Sequence, residues 1–204
     1  MTKLRIHHGA RRPRWLHRQR GQSIAEFALV LPVMAVMLTA TLEFGMAFDA
    51  DLALEAASRE GARVGASMGN YGTQGVCPNA LAESTVDPAI VATIKASLSN
   101  SGVDVSTVKI WISGQAWDGT NKSNTNEYDW VGTVATGSFV STGGYNYPAC
   151  GRHDGTFGGG LYDDIVVKIQ YTYKSKTGLL AFFTGGLQMT AQAIMPIGPP
   201  WKLQ

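Results

Sequence analysis

Between Phe27 and Leu42 the chain runs sixteen residues, "FALVLPVMAVMLTATL", without a charge. As a helix this stretch is about 24 Å long. That falls short of the ~30 Å hydrocarbon core of a bilayer. The next residues, "EFGMAF", extend it to Phe48 and to about 33 Å, with Glu43 near the far interface. One membrane crossing over about 27–48 is the expectation. The charge pattern orients it. Residues 1–20 hold seven Lys/Arg, three of the four histidines and no acid, whereas the remainder carries ten Lys/Arg against fifteen Asp/Glu. A basic arm alone could neutralise nucleic-acid phosphates, but an arm followed at once by an apolar span is a retained cytoplasmic flank. No nucleic-acid partner is expected. The chain then divides into a basic cytoplasmic leader (1–21), a long helix (22–69) and an extracytoplasmic domain (70–204).

The first charge at the door of the span is Glu26. A carboxylate there costs about 2.5–3.5 kcal/mol if it reaches mid-bilayer, and less near the interface. An ordinary secretory signal has no use for it, although "TAT" at Thr39–Thr41 offers a small-residue cut. With Gly21 as the cut instead, Gln22 becomes position one, Glu26 the fifth and Phe27 the sixth. In that frame "GQSIAEF" resembles the processing site of type IV prepilins, a glycine followed by a helix with Glu at the fifth mature position. The continuation "EFALVLP", then "LEFG", then "AASREGAR" at Ala56–Arg63 is similar to the TadE-like family of minor pseudopilins from tight-adherence (Flp) pilus systems. Phe27 stands where the major pilins of these systems usually have Tyr, and the chain is far longer than they are. The resemblance covers residues 18–69, and more loosely "IVVKIQYTY…GLLAFF…LQMTAQAIMP"; the stretch from about 70 to 160 lies outside it.

This resemblance implies a minor pseudopilin that helps assemble an adhesive pilus. It implies cleavage by a prepilin peptidase, a bacterial inner-membrane location with the domain in the periplasm, and partners among other pseudopilins or pilins, the inner-membrane assembly platform and membrane lipid. It implies neither catalysis nor a cofactor. A membrane-anchored or secreted periplasmic module, binding a ligand on its glycine-rich loops, is the alternative. Cleavage after Gly21 would free an α-amino group on Gln22, one helical turn from Glu26. The resemblance implies that Glu26 meets a neighbouring subunit's amino terminus, so that two costly charges compensate in an apolar layer. Snorkelling of Glu26 to the interface is the other reading.

Past the span the helical signal persists to about Gly69, with Pro32 expected to kink the apolar part. Gly45, Asp49, Ala53, Ala57, Gly61, Gly65 and Gly69 fall four apart. Each interior Gly costs a helix about 1 kcal/mol relative to Ala, so Ala57, Gly61, Gly65 and Gly69 should be compensated by close packing. The ridge fits either a partner's helix or this chain's own sheet.

The rest reads as a small α+β domain with an antiparallel sheet. "DPAIVATIKASLSNSG" predicts a helix capped by Asp87, opened by Pro88, stopped at Gly102 and buried through Ile90, Ile94 and Leu98. Alternation predicts strands at "STVKIWIS" and "IVVKIQYTY", with a third at 187–195. "GLLAFFTGG" (178–186) reads as a short apolar element on the sheet or at the membrane surface. "WDGTNKSNTNEYD" and "STGGYNYPACGRHDGTFGGG" read as loops. Outside the tail only His153 remains, so a hydrolytic triad would need it with Asp154, Asp163 or Asp164 and a serine such as Ser138, without a nucleophile elbow. No metal-ligand spacing occurs. The only cysteines, Cys77 and Cys150, are expected to pair outside the cytoplasm, closing a loop worth about 4 kcal/mol in the chain-entropy estimate.

Overall fold

The computed structural model describes residues 19–68, 79–114, 125–143, 147, 152, 164–178 and 186–197. The chain forms two compact units, Met1–Leu42 and Glu43–Gln204. In the first, the described residues all belong to helix α1 (Gln19–Met68). Pro32 lies inside α1 and does not interrupt the helical assignment.

The second unit is α+β. It opens with α1 from Glu43 onward, followed by α2 (Asn79–Asn100), a 3-10 turn (Val105–Thr107) and strands β1 (Val108–Ser113), β2 (Thr125–Val131), β3 (Ser138–Ser141), β4 (Asp164–Tyr173) and β5 (Leu187–Pro196). The five strands make one antiparallel sheet in the order β3-β2-β1-β4-β5. Register explains the core: Tyr128, Ile110, Ile169 and Ala191 lie opposite one another across four strands, and Ile112, Val167 and Ala193 form a parallel row. Side chains two apart share a face, so these rows give one apolar surface. Onto it are packed Leu54, Ala57 and Ala62 of α1 and Ile90, Ile94 and Leu98 of α2, all wholly buried.

The end of α2 follows from Gly102. Its φ of 72° is the left-handed conformation that closes a helix, and the Gly102 and Val103 amides donate to the carbonyls of Ser99 and Leu98. The start differs from expectation: α2 begins at Asn79, with Asp87 and Pro88 inside it. Asp87 does not cap, because its carboxylate is taken up by distant side chains. From Thr125 the expected loop at 117–129 gives way to β2, residues 117–124 lying outside the described residues. Its apolar alternation is concealed because the buried Thr125 and Asn126 are polar.

Candidate functional site

The predicted processing residues sit on the exposed start of α1. A side chain at Gly21 would meet nothing within 4 Å. Gln22 Nε2 donates to Glu26 Oε1 at 3.1 Å, so the expected pair does share a face. Phe27 is exposed, as are Ile24, Leu31, Met34, Leu38 and Leu42 around the helix. Such an apolar surface on a monomer marks a partner or a membrane. The hydroxyls within it are internally satisfied, Thr39 donating to the Ala35 carbonyl (2.8 Å) and Thr41 to that of Met37 (2.9 Å). α1 is long and apolar enough to cross a membrane.

At Glu43 the environment inverts. This side chain is wholly buried in the second unit. Its Oε1 accepts from the Tyr173 hydroxyl (2.9 Å) and the Lys176 amide (3.0 Å), and its Oε2 from the Thr177 amide (3.1 Å) and hydroxyl (2.6 Å). Charge-assisted hydrogen bonds of this kind make burial of a carboxylate tolerable without a cation. Burial, followed by the bond to Glu43 and the charge of Glu43, pushes the Tyr173 phenol up to about 12. Sequence reasoning missed this cluster. Its only signal was the presence of a charge within an otherwise uncharged run, and the donors lie 130 residues or more away.

Farther along α1 the small residues face inward. A Cβ at Gly61 would lie 2.7 and 2.8 Å from Ile94 Cγ1 and Cδ1, and one at Gly65 would collide with Ile165 Cδ1 and approach Ile90 Cδ1 to 2.9 Å. Gly61 and Gly65 therefore seat α1 against α2 and β4, with Ala57 fully buried beside them. Gly45 has nothing within 4 Å, and Gly69 lies outside the described residues. The outer face of this stretch carries the ion pairs Glu55–Arg59 (2.8 Å) and Glu60–Arg63 (2.5 Å).

A second buried cluster involves residues expected to be loop. Arg152 Nη2 contacts Asp87 Oδ1 at 2.6 Å, both side chains being fully buried. Asp87 Oδ2 accepts from Asn126 Nδ2 (2.7 Å) and the Tyr128 hydroxyl (2.9 Å). Arg152 and Asn126 also donate to the Tyr147 carbonyl, and the Tyr147 amide donates to Asn126 Oδ1. The network fixes two points of the glycine-rich segment, Tyr147 and Arg152, to α2 and β2. Cys77, Cys150, His153, Asp154 and Asp163 lie outside the described residues. Ser138 and Asp164 are on β3 and β4, with β2 and β1 between them. Among the described residues, no three His, Cys, Asp or Glu come together as a metal site.

Three features thus lie along the described part of α1: an exposed apolar start bearing Gly21 and Glu26, a sealed carboxylate, and a glycine-lined packing face. Residues 21–63 match the family described as TadE-like protein. No curated protein and no solved structure matches the chain. The match opens at Gly21, takes in Glu26, Glu43 and Gly61, and closes at Arg63 of the second ion pair. Over this segment of its long helix, about a fifth of its length, the chain is similar to the TadE-like proteins.

Proposed function

We propose that the chain is a minor pseudopilin that helps assemble a Tad (Flp, type IVb) pilus. A prepilin peptidase would cut after Gly21 to leave Gln22 as the mature amino terminus. The leader faces the cytoplasm, α1 crosses the inner membrane, and the domain from Glu43 onward lies in the periplasm. The protein works by packing and recognition, with other pseudopilins or the pilin, the assembly platform and membrane lipid as partners. The observation that carries this reading is the family match beginning at Gly21, with Glu26 fifth after it on an exposed helix. In support, the Gln22 to Glu26 hydrogen bond holds the carboxylate one turn from the terminus that cleavage would create. A neighbouring subunit's terminal ammonium could approach it there.

Glu26→Gln tests the mechanism. The peptidase acts at the glycine, so this variant is expected to be cut. Pilus formation is expected to fall, because the amide keeps the shape and loses the charge. Normal piliation in cells carrying Glu26→Gln at wild-type levels would refute charge pairing.

A further inference from the structure

The exposed face of α1 does not become polar where the folded domain begins. Phe44, Phe48 and Leu52 recur at i, i+4 and i+8, and each is more than half exposed. Beside them Phe44, Ala47, Phe48 and Asp51 of α1 and Leu187 to Met189 of β5 line an open groove of about 340 Å³. The first charges on this stretch beyond Glu43 are the exposed Asp49 and the half-buried Asp51, and the ion pairs Glu55–Arg59 and Glu60–Arg63 follow beyond Leu52.

We propose that Phe44, Phe48 and Leu52, with Leu187, form a lipid-facing surface, so that this end of the folded domain lies in the bilayer interface. The inference rests on the reading that α1 spans the membrane, and three observations select lipid as the occupant. The first is length: Phe27–Leu42 supplies about 24 Å of helix, and a ~30 Å hydrocarbon core is filled only if Phe44 and Phe48 face acyl chains as well. The second is charge. Between Glu26 and Asp49 the single ionisable residue is Glu43, and its carboxylate is enclosed by Tyr173, Lys176 and Thr177. The domain itself therefore removes the one group that acyl chains would reject. The third is the order of charges beyond Phe48. Asp49 and Asp51, at the level of the head groups, can reach zwitterionic lipid ammonium groups, and the ion-paired face beyond Leu52 stands in water.

The full-length protein, carrying a spin-labelled unnatural amino acid at position 34, 44, 48, 52 or 59, would be placed in vesicles of phosphatidylethanolamine with a minor fraction of phosphatidylglycerol. Collision with oxygen, which concentrates in acyl chains, is compared with collision with a water-soluble nickel chelate. Labels at Phe44 and Phe48 are expected to favour oxygen, as the control at Met34 does, with Leu52 intermediate and Arg59 favouring nickel. If Phe44 and Phe48 favour nickel, the surface is in water and the proposal fails. If they are shielded from both reagents, protein covers the face and the proposal fails in favour of a docked subunit. A label at Met34 that favours nickel would overturn the span itself, a failure distinguishable from the other two.

Discussion

The two stretches of α1, before and after Glu43, use the same secondary structure to opposite ends. In the first, large apolar side chains point outward all round and Gly21 has open space beside it; in the second, small residues point inward, and at Gly61 and Gly65 a Cβ would collide with neighbouring isoleucines. The two glutamates mark the same division. Glu26 is exposed, with one hydrogen bond from Gln22, while Glu43 is sealed by four donors. The difference teaches that composition along a helix does not specify what the helix is for. The first stretch leaves its large apolar side chains exposed, and the second buries one face in the core while Phe44, Phe48 and Leu52 stay exposed on the other.

The largest effect should come from removing the sealed carboxylate. Glu43→Ala leaves the Tyr173 hydroxyl and the Lys176 and Thr177 amides without their acceptor, at a cost of about 1–3 kcal/mol for each group that stays buried and unpaired. Glu26→Ala, the same change in the first stretch, should leave the domain's stability within about 0.5 kcal/mol. Thermal unfolding in detergent, followed by tryptophan fluorescence, compares them. Equal effects would erase the distinction.

Glycine substitutions sharpen it further. Gly65→Leu forces side-chain atoms into Ile165 and Ile90 and should cost about 1–3 kcal/mol or more. Alkali probes the Glu43 cluster from the donor side. The Tyr173 phenol titrates at about 12 in the folded chain against an ordinary value of 10. Its contribution is therefore fully present below pH 10 and is lost as pH rises from there through 12. The stability of Tyr173→Phe should fall less steeply over that interval. The smallest expected change has the opposite sign: Gly45→Ala adds a methyl group in open space on a helix and should stabilise by up to about 1 kcal/mol. Destabilisation there would mean that Gly45 is contacted by a partner.

Much of this was legible in local pattern. The apolar run follows from the lack of charge, and the face of α2 at Ile90, Ile94 and Leu98 and the alternation of β1 and β4 follow from periodicities of 3.6 and 2; Gly21 with Glu26 stood out only through the family resemblance. What stayed hidden was long-range and polar. β2 shows no apolar alternation because Asn126 is buried through its bonds to Asp87 and Tyr147. Asp87 read as a cap because a capping carboxylate and a buried one look alike in sequence; Arg152, 65 residues away, decides between them. Nothing local marks Glu43 as buried either, because its donors lie 130 residues or more away. The glycine ridge was visible, but the choice between a partner's helix and the chain's own elements needed the positions of Ile94 and Ile165.

On the function proposed above, the start of α1 is a pilin-type segment, freed from its leader and handled outside the fold. Intact-mass analysis of the protein extracted from membranes of its own cells tests this most directly. The account expects a chain beginning at Gln22, and an uncut precursor when Gly21 is replaced by a bulkier residue. A wild-type chain that retains its leader, or one that begins near residue 41 or 48, would contradict it.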